Sequence, residues 1–425
     1  MVATGIGAVA VILHKLVMHI LVVTNHFWPE NFRINDLALG LVERGHEVTV
    51  LTGIPNYPEG KFYPGYGFFR KRAEEYRGIK IHRIPLIPRG NGSTWRLLLN
   101  YVSSAIAFCF LAPFLCRKKF DVIFVFETSP ATIGLPAVLL KWIYRKPLFF
   151  WVLDLWPDSI SATNALKNRY VLWLVRKIVR QIYRNCDELL ISSKGFESSI
   201  QSVGGFQGDI KYFPNWVERE MGISRSTASN GIEFPKGFRI LFTGNIGMAQ
   251  DFPTILDAAE RLKGIDDLHW IIVGNGRNME WVKSEIARRD LNSQFHLLGR
   301  HPVEMMPQFF SEADVLLLSL RKEPIFELTA PGKLQSYMSS GVPILAALDG
   351  EGANIVNEAQ CGIACGAGDV ESLTKAVLSF YQMPKPERMK MGVRGQRYCE
   401  KHFSRELLFD QLELLFEQRV EGATK

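Results

Sequence analysis

Short apolar runs alternate with amphipathic stretches along almost the whole chain. Each run is nearly continuous in apolar residues, as expected of strands in a parallel sheet that helices cover on both faces. The strand candidates of the first half are Ile20–Thr24, Glu47–Thr52, Lys80–Ile84, Val122–Phe126, Leu148–Leu153 and Glu188–Ser192. Those of the second half are Arg239–Thr243, Leu268–Val273, Phe295–Leu298, Val315–Leu318 and Pro343–Ala346. The pattern therefore predicts an α/β chain with two successive Rossmann-like units.

A small and polar stretch separates these two units. Residues 217–236 contain the run SRSTASNG, which is typical of a linker or an exposed loop. We therefore expect an N-terminal domain at 18–216, a linker at 217–236, a C-terminal domain at 237–400, and a final helix and tail at 401–425. Two such domains form a cleft between the carboxyl ends of their sheets, where ligands are expected to bind.

The first 17 residues are apolar but lack the charged start and the small-residue cleavage site of a signal peptide. Their uninterrupted apolar run, from Ala8 to Leu13, is too short to span a bilayer. Two interpretations stay open: an N-terminal extension ahead of a natural start at Met18, or a short segment that touches a membrane.

The composition is that of a folded globular protein. Of the 425 residues 47% are apolar and 22% are charged, which excludes wholesale disorder and a polytopic membrane protein. The six cysteines are widely spaced, without a CxxC pair or histidines at zinc-finger spacing. This pattern favours a reducing compartment and predicts no structural metal.

The positive charge lies in the first half of the chain. Up to Trp216 there are 26 basic and 15 acidic residues, whereas the remainder has 24 and 28. Residues 61–96 carry nine basic side chains against two acids, and they are followed by the nineteen-residue apolar segment Leu97–Leu115. Residues 167–184 add six basic residues and no acid, with an apolar stripe at helical spacing.

Each of these two segments alone is equally consistent with an ordinary core helix that has a solvated face. Together with the charge, they favour contact with an anionic membrane surface. Nucleic acid is the weaker interpretation, because the aromatic residues are not interleaved with the basic clusters. We therefore expect a cytoplasmic protein bound peripherally to the inner face of the cell membrane, with Leu97–Leu115 buried or seated at the interface rather than spanning it.

Two loops of the first half carry candidate chemistry. His26 and Trp28 follow the first strand directly and are candidates for contact with an acceptor; a capped turn with a packed Trp28 is the alternative. Asp154 ends another apolar strand and is a candidate acid, base or hydroxyl acceptor. The alternative for Asp154 is a structural role, with Asp158 or Ser159 capping the next helix.

Glycine-rich turns follow two strands of the second half. The first contains Gly244, Asn245 and Gly247, and the second contains Gly274 and Arg277, a cation that could reach a phosphate. Farther on, the pattern predicts a helix that Pro331 opens and that Gly341 closes. Free N–H groups at the start of such a helix suit a diphosphate, and Lys333 adds a full positive charge.

With these motifs the chain resembles the retaining glycosyltransferases of family 4. The resemblance covers about residues 18–415 and rests on NHFWPEN, RGHEVTVLTGIPNYPEG, LDLWPDS, SSKGF, FPNW, FTGNIGMAQDF, VGNGR and PGKLQSYMSSGVPILAALDGEGA. The chain is similar to the bacterial polysaccharide subgroup that contains O-antigen fucosamine transferases and colanic acid transferases. The resemblance implies a GT-B fold, in which the C-terminal domain binds the donor, the N-terminal domain binds the acceptor and the last helix crosses back.

The resemblance also implies roles for individual residues. Gly244, Asn245 and Gly247 would lie against the donor diphosphate, and Arg277 and Lys333 would offset its charge. Glu327 would contact the hydroxyls of the donor sugar, and Asp154 would face the acceptor.

Two positions depart from the family pattern. The usual ribose-binding glutamate is Ser336, and a frequent basic residue after the first glycine loop is Gln250. Because Ser336 leaves the EX7E motif incomplete, neither Glu323 nor Glu327 has an acidic partner at the expected spacing. Ribose recognition would then pass to Gln335 or to a backbone group.

The expected activity is retaining transfer from a nucleotide sugar, UDP-linked, to a saccharide on undecaprenyl diphosphate. No cofactor is expected beyond the donor, and no metal, because a DxD motif is lacking and cationic groups can stabilise the leaving diphosphate. One alternative is a GT-B epimerase of the UDP-N-acetylglucosamine 2-epimerase type. Another is a non-catalytic partner that keeps the fold and the membrane seat.

Overall fold

The computed structural model describes residues 16–90, 93–117, 119–162, 168–217 and 233–422. The predicted extension at 1–17, except its last two residues, and most of the predicted linker at 217–236 lie outside the described residues.

An eight-stranded sheet forms the centre of the N-terminal domain. Its strands run in the order β3-β4-β2-β1-β5-β6-β7-β8, and all pairs are parallel except the edge pair β3–β4. The strands are β1 His19–Thr24, β2 Glu47–Gly53, β3 Ala73–Tyr76, β4 Ile79–Ile84, β5 Val122–Glu127, β6 Leu148–Val152, β7 Glu188–Ile191 and β8 Lys211–Tyr212. The helices are α1 Arg33–Glu43, α2 Thr94–Leu115, α3 Gly134–Tyr144, α4 Asp158–Ala162, α5 Arg169–Arg184 and α6 Phe196–Val203.

A six-stranded parallel sheet forms the centre of the C-terminal domain, in the order β11-β10-β9-β12-β13-β14. The strands are β9 Phe238–Asn245, β10 Leu268–Asn275, β11 Phe295–Gly299, β12 Val315–Ser319, β13 Ile344–Ala347 and β14 Gly362–Cys365. Its helices are α7 Phe252–Arg261, α8 Met279–Arg288, α9 Met306–Ser311, α10 Pro324–Glu327, α11 Leu334–Ser340, α12 Glu351–Glu358, α13 Val370–Gln382 and α14 Lys385–His402. The last helix, α15, is Arg405–Gly422.

All eleven predicted strands are present, and they form the two predicted Rossmann-like sheets. The structure adds three strands that the apolar pattern did not indicate: β3, β8 and β14. Strand β3 has the sequence AEEY and lies at the edge of the sheet, where it pairs with β4 alone. Because its residues are exposed or partly exposed, it has no apolar run by which the sequence could indicate a strand. Strand β8 has two residues, and β14 is an edge strand of small side chains, GIAC.

The predicted crossing of the last helix is confirmed. Helix α15 packs Phe409, Leu412 and Phe416 into the apolar cluster on one face of the N-terminal sheet. Charged contacts fix its position: the Arg405 guanidinium donates to Asp36 at 2.9 Å, and His46 contacts Glu413 at 2.8 Å. The helix thereby closes the GT-B arrangement of two sheets joined across a cleft.

By length and composition alone, helix α2 could cross a membrane, and it is the single helix among the described residues that meets this criterion. It lies between β4 and β5 and packs on the sheet through Asn100, Ser104, Phe108 and Ala112, spaced by four residues. The opposite side is solvent-exposed and apolar, and consists of Trp95, Leu98, Val102, Ile106, Phe110 and Phe114. A soluble helix normally has the reverse polarity, with its polar stripe outward.

Exposed apolar side chains continue onto the two neighbouring helices. Helix α3 packs between α2 and α5, and it exposes Trp142 and Ile143. The first two turns of α5 expose Tyr170, Val171, Trp173 and Leu174. We call these exposed residues of α2, α3 and α5 the apolar face.

The prediction that Arg83 contributes to the basic surface of residues 61–96 is wrong. Arg83 is fully buried and paired with Glu74, so its charge is neutralised inside the domain.

Candidate active site

Two glycine turns lie side by side at the carboxyl ends of β9 and β10. The parallel register pairs Gly244 with Gly274 and Asn245 with Asn275. Both glycines have positive φ angles, +121° and +147°, which side chains other than glycine rarely adopt. A Cβ atom on Gly274 would collide with the carbonyl of Gly244. The glycines therefore let the two turns pack against each other, and the backbone of Gly244 and Asn245 stays exposed to a ligand.

Lys333 projects into this bare corner. Its Nζ lies 4.0 Å from the centroid of the Phe242 ring, and a Cβ on Gly244 would come within 3.0 Å of the same Nζ. Among the described residues no carboxylate lies within ion-pair distance of it. Burial without a counter-ion disfavours the ammonium form and lowers the pKa of Lys333 to about 7. An anion that entered here would supply the missing negative charge.

The contact between α11 and β9 fixes the position of Lys333. The Tyr337 hydroxyl accepts a hydrogen bond from the Thr243 amide at 3.0 Å and lies 3.1 Å from the Thr243 hydroxyl. The prediction that Pro331 opens this helix is wrong by three residues, because the helix begins at Leu334 and has only seven residues. A helix this short offers little dipole to an anion, so the positive charge of the corner rests on Lys333.

The two departures from the family pattern have different structural outcomes. Gln250 accepts a hydrogen bond from the Gly247 amide at 3.1 Å and closes the first glycine loop. Ser336 is buried on α11 beside Gln335, which is completely buried and whose amide oxygen and nitrogen both have no partner in the described structure. Buried unpaired polar atoms are costly, so the Gln335 amide is a candidate for ligand contact.

The other donor-side candidates are solvent-exposed. Arg277 lies in the turn after β10, next to the glycine corner. Glu327 is the last residue of α10, and its carbonyl packs against Gly350 at the start of α12. Glu323 forms an ion pair with Arg321 at 3.1 Å, and the Arg321 amide donates to Ala249 in the first glycine loop. The segment that carries both glutamates thus borders the glycine corner, and the role of Glu327 stays a prediction.

On the N-terminal domain His26 is held inside the first loop. Its Nδ1 lies 2.8 Å from Glu30, and its ring stacks on Phe32 at 4.7 Å. Glu30 also accepts hydrogen bonds from the Asn56 and Tyr57 amides at 2.7 and 2.6 Å. His26 is only 4% exposed, so it shapes the loop more than it presents a free ring to solvent.

Trp28 stacks on the Tyr76 ring at 4.3 Å with an interplanar angle of 11°, and it remains 38% exposed. One face of the Trp28 ring is therefore packed, as the alternative interpretation predicted, and the rest of the ring is accessible to a ligand.

Asp154 lies in a polar cluster at the carboxyl ends of β5 and β6. Its carboxylate accepts hydrogen bonds from the Ser129 hydroxyl and, at 3.3 Å, from the Trp156 indole. Below it, Glu127 is completely buried and accepts hydrogen bonds from the Leu153 and Asp154 amides, both at 3.0 Å. Burial, and next the charge of Asp154, raise the pKa of Glu127 well above its ordinary value. Glu127 thus holds the Asp154 loop through these two amides, and burial favours its protonated form.

Donor-side and acceptor-side elements meet across the domain boundary. The Ser193 hydroxyl donates to the Leu328 carbonyl at 2.5 Å and accepts from the Ala330 amide at 3.1 Å. Helix α10, which ends at Glu327, packs against α4, which begins four residues after Asp154. The fold therefore brings the segments of Asp154, Glu327 and Lys333 to one cleft.

Two family models match the chain, one for each domain. The glycosyl transferase 4-like domain matches residues 31–216, and glycosyl transferases group 1 matches residues 237–383. Together the two models cover well over half of the sequence. The chain belongs to the family 4 glycosyltransferases. The family resemblance predicted from the motifs is confirmed, and the transferase assignment favours sugar transfer over the epimerase alternative.

Two curated relatives of this glycosyltransferase are informative. It is 25% identical over 339 residues to a protein named as the colanic acid biosynthesis glycosyl transferase WcaI of Escherichia coli, with 76% of this chain and 82% of the relative covered. It is 27% identical over 135 residues to 2-deoxystreptamine N-acetyl-D-glucosaminyltransferase of Niallia circulans, with 32% of this chain and 33% of the relative covered. Both relatives are glycosyltransferases, and the first supports a role in polysaccharide biosynthesis.

Solved structures share the fold of the glycosyltransferase. HepE from Anabaena in complex with UDP aligns with a TM-score of 0.65 at 16% identity, covering 94% of this chain and 100% of HepE. Sucrose-phosphate synthase from Thermosynechococcus elongatus aligns with a TM-score of 0.70 at 14% identity, covering 94% and 98%. Identities this low show the GT-B fold alone.

Sequence reasoning missed two residues beside Asp154: Glu127, which is buried beneath it, and Arg89, which contacts the Ser129 carbonyl. Glu127 follows the predicted strand Val122–Phe126 directly, so its position at a strand end was the available signal. Arg89 was counted only as part of a basic stretch. Among the described residues, no group of three or more His, Cys, Asp or Glu side chains is arranged to hold a metal ion.

Proposed function

We propose that this glycosyltransferase transfers a sugar from a UDP-sugar, with retention of configuration, to a saccharide on undecaprenyl diphosphate. The product would belong to a bacterial surface polysaccharide such as an exopolysaccharide, an O-antigen or a capsule. The observation that carries the proposal is Lys333, a half-buried lysine beside the two glycine turns that has no counter-ion among the described residues. HepE, which shares the fold, is described in complex with UDP, and this supports a UDP-linked donor.

The donor side of the mechanism is electrostatic. When the glycosidic bond of the donor breaks, negative charge develops on the leaving diphosphate, and a positioned cation stabilises it. Lys333 provides that cation, because an adjacent diphosphate raises its pKa and restores the ammonium form. Arg277, exposed at the neighbouring turn, adds a second cation, and Glu327 is proposed to contact the donor sugar. No metal ion is expected to take part.

Asp154 is the proposed contact for the acceptor hydroxyl. Its carboxylate sits at the cleft with one hydroxyl and one indole donor, and Glu127 below it fixes the loop. A retaining transfer needs a positioned acceptor more than a strong base, so such a carboxylate suits the task.

A lipid-linked acceptor is supported by the apolar face. Its residues on α2 are exposed at every third or fourth position and are all apolar or aromatic. Exposed patches of this kind mark sites of contact with a partner or a membrane. Basic residues near the face, including Arg117 and Lys177, suit anionic headgroups. We propose that this surface seats the enzyme on the inner leaflet of the cytoplasmic membrane.

The proposal is tested by purifying the protein and following UDP release from UDP-sugars with and without a lipid-linked saccharide acceptor. We expect release that depends on the acceptor, that survives EDTA and that Lys333→Ala abolishes. Interconversion of UDP-sugars without release would support the epimerase alternative, and neither activity would support a non-catalytic partner. Complete loss in EDTA that only Mn²⁺ or Mg²⁺ restores would contradict the metal-independent mechanism.

A further inference from the structure

Arg89 lies where the apolar face of α2 meets the cleft. Its guanidinium is 5.4 Å from the centroid of the Tyr57 ring and 5.7 Å from that of Tyr101. Its Nη2 donates to the Ser129 carbonyl at 3.3 Å, and its backbone amide donates to Asn56 at 3.4 Å. The two tyrosine rings and the Ser129 carbonyl thus hold the guanidinium in a defined position.

The charge of Arg89 has no counter-ion within the described part of the chain. Among the described residues no carboxylate lies within 4.0 Å of it, whereas the neighbouring buried Arg83 is paired with Glu74. The Nε of Arg89 is buried and donates to no partner in the described structure. A half-buried guanidinium with an unpaired N–H group binds an anion favourably. Its side chain is already held in position, so binding costs little further conformational entropy.

The surroundings of Arg89 are polar on one side and apolar on the other. The Ser129 residue that it contacts also donates to Asp154, the proposed acceptor contact. Tyr101, which packs against it, belongs to α2 and lies between the exposed Leu98 and Val102 of the apolar face. Arg89 therefore separates the reacting side of the cleft from the apolar stripe of α2.

We propose that Arg89 binds the diphosphate of the lipid-linked acceptor. The polyprenyl chain then lies along the apolar face of α2, and the saccharide reaches toward Asp154. The inference rests on the proposed function, since it assigns a residue to the acceptor side of that reaction.

The test measures binding of farnesyl diphosphate, farnesol and inorganic diphosphate to the full-length protein, with UDP in excess to occupy the donor corner. Three proteins are compared: wild type, Arg89→Gln, and Arg145→Gln as an exposed arginine at the far end of α3. We expect Arg89→Gln to weaken farnesyl diphosphate binding at least tenfold and to leave farnesol binding unchanged. Arg145→Gln should match the wild type, and Arg89→Lys should recover part of the loss.

Two results would overturn the assignment. Equal affinity of the wild type and Arg89→Gln for farnesyl diphosphate would exclude Arg89 as its ligand. An equal loss of farnesol binding would show that the substitution disturbs the fold rather than a phosphate contact. If inorganic diphosphate binds as tightly as farnesyl diphosphate and suffers the same loss, the lipid part of the proposal is wrong. Sugar transfer that persists with any of these results would leave the proposed function standing.

Discussion

Binding of the donor diphosphate should be coupled to the uptake of a proton by Lys333. In the free protein burial holds the pKa of this lysine at about 7, so at neutral pH and above much of the population is uncharged. A diphosphate placed against Nζ favours the ammonium form and raises the pKa toward or beyond its ordinary value. Binding then requires that the lysine first take up a proton from the solvent.

The size of the effect follows from the two pKa values. With a pKa of about 7 in the free site and 10.5 or higher in the complex, binding takes up about 0.5 proton at pH 7 and about 0.9 at pH 8. Between pH 7.5 and 9 the dissociation constant for UDP should rise about tenfold per pH unit. The terminal phosphate of UDP is already ionised in this range, so its own titration adds little to the slope.

Isothermal titration calorimetry measures this uptake directly. UDP is titrated at pH 8 in buffers with different ionisation enthalpies, and the slope of the observed enthalpy gives the number of protons exchanged. Lys333→Met should bind UDP weakly and without proton uptake. Lys322→Met, which removes an exposed lysine from the loop before α10, should behave like the wild type. Absence of uptake in the wild type, or the same uptake in Lys333→Met, would refute the reasoning.

Three further predictions concern the acceptor side, the membrane seat and the crossing helix. Glu127→Gln should retain the fold because burial favours the uncharged form of Glu127, whereas Glu127→Ala leaves two buried amides unpaired and should cost about 2–4 kcal/mol. Since the folded pKa of Glu127 lies above the unfolded one, wild-type stability falls as pH rises from about 4.5. The advantage of Glu127→Gln in thermal unfolding should therefore grow as the pH rises above about 4.5, and a shrinking advantage would contradict a raised pKa of Glu127. Ile106→Asp combined with Phe110→Asp should reduce flotation with vesicles of anionic lipid at least tenfold, while Met389→Asp, at an exposed apolar position of the C-terminal domain, should have no effect; equal flotation of all three proteins would remove the membrane seat from α2. Phe416→Ala should destabilise the N-terminal domain by about 3–5 kcal/mol, because its buried ring packs edge-on against Phe149 at 4.8 Å, and the exposed Leu414→Ala should change urea denaturation little. Similar effects of both substitutions would mean that α15 contributes little to the stability of the N-terminal sheet.

The parts of the fold that the sequence predicts are those with a dense apolar pattern. Strands such as VIFVFE and LFFWV are buried on both faces, so their runs are nearly continuous and easy to recognise. Strand β3, by contrast, exposes alternate residues at the edge of the sheet, and its sequence AEEY indicates no strand. The start of α11 was placed too early because Pro331 suits a first helical turn, yet residues 331–333 form a turn instead.

The arrangement of the glycine corner, the candidate donor site, could be predicted because its parts are local in sequence. Gly244, Gly274 and Lys333 each lie in a short motif next to a strand or helix, and parallel pairing brings the strand ends together. The acceptor side was harder, because its positions depend on contacts between distant segments. Nothing near Arg89 in sequence indicates that Tyr57, Tyr101 and Ser129 surround it. The apolar segment of α2 was recognised, but only the structure shows that its polar residues point inward.

We expect the C-terminal domain to hold a nucleotide-sugar donor through Lys333 and to present the sugar to the cleft of Asp154. A structure of the protein crystallised with UDP tests it most directly. We expect the diphosphate of UDP within hydrogen-bond distance of Lys333 Nζ and against the backbone of Gly244 and Asn245, with its terminal phosphate toward the N-terminal domain. A diphosphate bound elsewhere, with Lys333 still packed on Phe242 and contacting no phosphate, would contradict it.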